Sequence, residues 1–438
     1  MSVDPWDNLG LETGLDTPDA LIWSGETTTP SPDNLALLRN AWADLTSEAG
    51  NKAAEALGRL TAVSETAFAS SPSFLMRWYH FQGLALAMLA DTEDDEGMSA
   101  GAWVAASHMF KQARDIALLG PLPMAAAAQV SLSRWLAHCE YNRLRYDDAL
   151  DEFLTARAAL ERYSPGEEKA VARANMRLCG WIGRSQAIAA KFTEAWDSLA
   201  YADELRAKYG GALMTQFERG SDEWMRAYIL RAMSQLSGGI PDMLRDALRM
   251  YRKVEKRLIE ESSRIDSLRR LYIQVAEIHM DLAEHARDAG SETRVKANLH
   301  FADIYANQAI DSLKESGDAH GALLAELSLA RLDHLSYTPS MWPSRRLSLQ
   351  ADESLLAGHP SHVSPRIYDI EKRAIDLGDK VLLAKAMTLR ADVLLSMRDF
   401  YASLYLYAVA LLMFDQAQAR GESARTMYGR ERAIVLSH

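Results

Sequence analysis

The chain has 438 residues, of which 48% are hydrophobic, with 24 glycines and 13 prolines. So much apolar material excludes disorder of the whole chain, and the scarcity of breakers favours helix almost throughout. The net charge of -12 excludes non-specific nucleic-acid binding by the surface as a whole, though not a local basic patch.

Residues 1–33 stand apart. They contain Pro5, Pro18, Pro30 and Pro32, the acids Asp4, Asp7, Glu12, Asp16, Asp19, Glu26 and Asp33, and neither Lys nor Arg. An acidic, non-helical arm is predicted here. Its two isolated tryptophans, Trp6 and Trp23, are costly in water and need something to anchor on. They either cap the first helices or enter a groove, of the same chain or of a second molecule. The opening MSVDPWDNLG lacks the basic start and apolar run of a secretion signal, and no stretch suits a membrane span. A soluble cytoplasmic protein is expected.

From Asn34 to about Val435 the pattern predicts paired helices, one repeat domain over 34–438. WYHFQGLALAML (78–89) carries Gly83, and AASHMFKQARDIAL (105–118) carries Ala106, Phe110 and Ala113. Between them, DTEDDEG (91–97) lacks the ligand order of a calcium loop and reads as a solvated acidic insertion. VSLSRWLAHCEY (130–141) leads to RYDDALDEFLTARAAL (145–160), where Tyr146, Ala149, Phe153 and Ala156 share a helical stripe. MRLCGWIGRSQAI (176–188) leads likewise to Phe192, Ala195, Leu199 and Ala202. Cys139 and Cys179, in apolar helical contexts, are expected to be buried thiols.

RDALRMYRKVEKRL (245–258) buries Leu244, Leu248, Tyr251 and Leu258, and it aligns Arg245, Arg249, Arg252 and Lys256 on another face. That face is either a solvated one laced with ion pairs or a patch for an anionic partner. ANLHFADIYANQAIDSL (297–313) reads as a further second helix. An insertion at 337–365, with Pro339, Pro343, Pro360 and Pro365, holds the HPSH pair His359 and His362, which lacks a third metal ligand. AKAMTLRADVLLSM (384–397) pairs with Phe400, Ser403, Tyr407 and Ala410, and ESARTMYGRERAIVLSH (422–438) is predicted to form a cap helix.

Ala137, Gly183 and Ala391 each precede the first small residue of the next stripe by twelve positions. A helix with one small residue, a turn, and a helix alternating small with large form the unit. This unit resembles the tetratricopeptide repeat (TPR) family, whose helix–turn–helix repeats span about 34 residues. The intervals here, 46 residues from Ala149 to Ala195 and 52 from Ala195 to Ala247, are longer and irregular, in the style of degenerate bacterial regulatory arrays. The resemblance implies an all-α, TPR-like α-α superhelix whose first helices line a concave wall that binds peptides or partner helices.

Counting from the small residues, that wall is expected to expose Arg77 and His80, then Arg134, His138 and Tyr141, then Arg177 and Arg184. Around Ala391 it offers Lys385, Asp392 and Leu395 instead. The asparagines of the family's carboxylate clamp are missing, so its chaperone-tail specificity is not implied. Neither a phosphate-binding glycine loop nor a nucleophile elbow nor H-E-x-x-H occurs. The expectation is a non-enzymatic scaffold or adaptor, without cofactor or metal, for a protein or peptide partner of acidic character. The alternative is a regulatory sensor that binds a small peptide or effector and controls a separate protein. The oligomeric state is open.

Overall fold

The computed structural model describes residues 30–47, 52–92, 96–120, 122–143, 145–162, 168–209, 216–237, 240–260, 265–315, 318–337, 363–396 and 399–420. No strand occurs among them. The contacts divide the chain into two compact units, Met1–Gln186 with Asp197–Met214, and Ala187–Trp196 with Thr215–His438.

The helices run in order: α1 (Pro32–Thr46), α2 (Ala53–Thr61), α3 (Pro72–Thr92), α4 (Glu96–Ala117), α5 (Leu122–Asn142), α6 (Tyr146–Arg162), α7 (Glu168–Ile188), α8 (Phe192–Tyr209). They continue as α9 (Gln216–Leu236), α10 (Pro241–Glu260), α11 (Ile265–Asp288), α12 (Glu292–Glu315), α13 (Ala319–Tyr337), α14 (Val363–Asp376), α15 (Lys380–Ser396) and α16 (Phe400–Arg420). Neighbours in sequence pack on one another, as in α3 with α4, α5 with α6, α11 with α12, and α15 with α16. This is an all-α helical-repeat fold.

Local chemistry sets the ends. Ser31 Oγ accepts from Asn34 N–H at 3.3 Å, and Pro32 opens α1. Gly378 takes φ +69°, which only glycine adopts cheaply, and Asp379 N–H then closes on Ala374 O at 2.9 Å. Asp379 Oδ1 in turn accepts from Leu382 N–H at 2.9 Å, so one Gly-Asp pair ends α14 and starts α15.

The expected second helices of the pairs are α4, α6, α8, α10, α12 and α16, and the stripes point inward as predicted. Ala149, Phe153 and Ala156 are buried, as are Phe192, Ala195, Leu199 and Ala202. Gly183 and Ala391 are buried too. The last stripe differs at its first position: Phe400 is 52% exposed, because it opens α16 before the helix reaches its crossing with α15. At that crossing Ser403 Oγ donates to Ala391 O at 2.9 Å, a distance that needs two small residues. Cys139 and Cys179 are buried thiols, and burial pushes the Cys139 thiol up. Residues 1–29 of the arm with Trp6 and Trp23, the insertion from 338 to 362 with His359 and His362, and the tail from 421 lie outside the described residues.

In the second unit a buried charge network ties three helices. Arg231 of α9 donates from Nε to Asp281 Oδ2 of α11 at 2.7 Å and also pairs with Glu277. Arg331 of α13 donates to the other oxygen of Asp281 at 2.8 Å and to Glu284 at 3.1 Å. Burial would weaken the Arg231 charge, but Asp281 and Glu277 hold its pKa up.

Two substitutions test this packing. A Cβ at Gly83 would meet the Phe110 ring at 2.7 Å, and that ring is itself fully buried. Gly83→Leu is therefore expected to cost about 1–3 kcal/mol or more in denaturant titrations. Arg231→Ala leaves buried Asp281 with Arg331 as its remaining cation and is expected to cost about 3 kcal/mol. Arg249→Ala, at a pair with 75% of the arginine side chain exposed, is expected to stay within about 0.5 kcal/mol.

Candidate functional site

In the first unit Arg114 pairs with Glu152 and Arg143 with Glu140, and along α3, α5 and α7 three arginines lie against aromatic rings. The Arg77 guanidinium stands 5.8 Å from the Phe74 ring centre and donates to Ser73 O at 2.9 Å. Arg134 stands 5.0 Å over Trp135, and Arg184 stands 4.6 Å over Trp181. A guanidinium over an indole face is attracted by the ring quadrupole.

The rings themselves form a continuous seam. His80 lies 6.0 Å from Phe110, which stacks on Trp135 at 5.7 Å with planes 13° apart. Trp135 meets His138 at 5.8 Å, and His138 meets Trp181 edge-on at 4.4 Å. Phe153 of α6 backs this junction, 5.9 Å from Trp181. Tyr141 closes the seam, 5.3 Å from Trp181 and 5.2 Å from Tyr146. Of the expected wall residues, Arg77, His80, Arg134, His138, Tyr141 and Arg184 thus join one seam. Arg177 sits half-buried one turn from Trp181 on the same face of α7.

The electrostatics follow from this burial. His80 is pushed down to about 3, first by burial and then by Arg77 and Arg134. His138 is held well below its usual value by burial, Arg134 and Arg184. Burial raises the Tyr141 phenol. Both histidines are therefore neutral at physiological pH, and the arginines carry the charge. Trp135 Nε1 and Ser185 Oγ are buried polar atoms with no hydrogen-bond acceptor or donor beside them among the described residues.

One expectation needs correction. Arg77 and His80 were read as exposed on the wall, but both are 0% exposed. α3 is not an edge helix: α1, α2 and α4 all pack against it, and its segment from Trp78 to Ala85 is buried around the whole circumference, His80 and Gln82 included. Arg134, His138, Tyr141, Arg177 and Arg184 keep partial exposure. The second basic set lies in the other unit. Arg245 and Arg249 pair with Asp242 and Asp246, three positions before them on α10, and Arg252 and Lys256 are exposed.

The sequence analysis places Phe110 and Phe153 only among the repeat positions, and it misses Phe74, Trp135 and Trp181. Adjacent Arg134-Trp135, and Trp181 three positions before Arg184, were available signals within single helices. The stacking of Phe110 on Trp135 joins α4 to α5 and has no signature in either segment alone.

The seam predicts an acid-sensitive unit. The unfolded chain takes up protons on these histidines near pH 6.5, whereas folded His80 does so only near 3. The stability they contribute is full above about pH 6.5 and falls, by about 1.4 kcal/mol per pH unit for His80, as pH drops towards 3. His80→Gln, neutral throughout, is expected to flatten that part of the urea-midpoint profile between pH 6.5 and 4 relative to wild type.

Comparison with known proteins adds similarity without a family. A Rap protein complexed with competence and sporulation factor is 13% identical, with TM-score 0.47, over 93% of this chain and 98% of that one. The human IFIT1 dimer with m7Gppp-AAAA is 12% identical, with TM-score 0.27, over 94% and 96%. No protein-family model and no curated protein matches.

Proposed function

We propose that the chain is a non-enzymatic, TPR-like binding scaffold that takes an extended acidic peptide segment along the α5 and α7 part of the seam. The observation that carries this reading is the pair of half-buried arginines, Arg134 and Arg184, each on a tryptophan face and each beside His138. Such a guanidinium is oriented, low in rotamer freedom and able to donate to a carboxylate, so little entropy is lost on binding. The flanking rings, Trp181 and Tyr141, offer an apolar bed between the charges. Binding rather than catalysis is favoured because the titratable groups here are displaced from neutrality in the unhelpful direction. The histidines are too weak as bases, and Tyr141 too weak as an acid, for proton transfer near pH 7.

The arm fits the same chemistry. Its acids and its Trp6 and Trp23 complement a cationic, aromatic surface, and the tether raises its local concentration to about the millimolar range. In this reading the arm is the resident ligand that a partner segment displaces.

Random peptides displayed on phage and panned against the full chain test the scaffold. Acidic sequences with an aromatic residue are expected to be enriched, and Arg134→Ala and Arg184→Ala are each expected to weaken a selected peptide about tenfold, roughly 1.4 kcal/mol. Affinities indifferent to both substitutions would sink the assignment. Removing residues 1–30 is expected to tighten the same peptide with little change in melting temperature. A lower melting temperature with unchanged affinity makes the arm a cap instead.

A further inference from the structure

α16 is apolar on the side that packs and equally apolar on the side that does not. Its inward stripe, Ser403, Leu406, Tyr407, Ala410 and Phe414, is buried against α15. On the opposite face Tyr401 is 90% exposed, Leu404 69%, Tyr405 68% and Leu412 60%. The steps of three, one and seven residues between them keep all four on one side of the helix. From Phe400 to Phe414 the sequence FYASLYLYAVALLMF has no charged residue. A surface helix normally places charge opposite its core stripe, and a helix apolar all round is normally covered all round.

We infer that this face of α16 is the contact surface of a homodimer, occupied by α16 of a second copy of the chain. The four side chains leave on the order of 500 Å² of apolar surface per chain, a contiguous patch of the size that marks interaction sites. A standard interface buries about 800 Å² per partner, so the patch supplies its apolar centre and the flanking polar residues its rim. A second copy offers a matching surface, since a two-fold contact sets this face against itself. The whole chain is acidic at -12, which opposes self-association through charged surface, and the stretch from Phe400 to Phe414 brings no charge into such a contact. Two such helices crossing antiparallel about a two-fold axis bury no like charges and set opposite helix ends side by side. The chain's own tail, predicted to form a cap helix, is the competing cover, and it carries Arg430, Glu431 and Arg432 among its apolar residues. A lipid surface is disfavoured because an interfacial helix flanks its apolar face with Lys and Arg, which this stretch lacks. No helix among the described residues is long and apolar enough to cross a bilayer.

Sedimentation velocity of the full chain, from about 1 to 100 µM, tests the inference. The expected result is a species of twice the chain mass, dissociating on dilution, which Leu404→Arg with Tyr405→Glu converts to a monomer of unchanged helicity and melting temperature. Wild type that stays monomeric throughout overturns it. If the double substitution then also lowers the melting temperature, the occupant is the chain's own tail; if it does not, the face awaits a different protein. A dimer that survives the double substitution overturns it as well, by locating the contact elsewhere.

Discussion

How closely two helices cross is set by the smallest side chains between them, and the rest of this fold follows from that distance. At Ala391 and Ser403 the backbones come near enough for a side-chain hydroxyl to reach across to a carbonyl at 2.9 Å. At Gly83 the approach is closer still in effect, because an aromatic ring occupies the space a Cβ would take. A small residue at the crossing obliges large ones on either side to fill the volume left around it. That is why Phe110, Phe153 and Tyr251 are among the largest fully buried side chains. Alternation of small and large is thus a packing consequence, repeated wherever one helix pairs with the next.

Close crossings leave little room for water, so buried charge needs a partner inside the protein. Both units meet that demand with ion pairs and with arginines on rings. In the second, Arg231 and Arg331 share Asp281, and the acids on α11 are spent on internal contacts. In the first, arginines rest on Trp135 and Trp181. A guanidinium on an indole face is oriented by the ring quadrupole, and one clasped by carboxylates by its hydrogen bonds. The internal network suits stability and orientation of α9, α11 and α13. The stacked, half-buried arginines are the cations on which the proposed binding surface rests.

The helical fold was legible because it is written in local periodicity. Ala149, Phe153 and Ala156 declare their face within one helix, and Ala137 and Gly183 declare the pairing by a constant offset. Exposure was less legible. Arg77 and His80 look like solvent-facing residues of a first helix, yet α1 and α2 precede that helix and cover it, and nothing in the segment 72–92 itself announces them. The candidate site was half legible for the same reason. Its charges were found by counting along α5 and α7, but its rings come from α4 and α6 as well, and Arg231 with Asp281 are fifty positions apart. Contacts that join helices distant in sequence depend on packing angles, which no single segment encodes.

Phe110 belongs to both systems at once. One side of its ring fills the gap at Gly83, and its face stacks on Trp135, which carries Arg134 and touches His138. Interiors packed to this density shift between discrete arrangements rather than deforming smoothly. The proposed ligand-bearing residues, Arg134, Trp181 and Arg184, are therefore joined through His138, Trp135 and Phe110 to the crossing of α3 and α4.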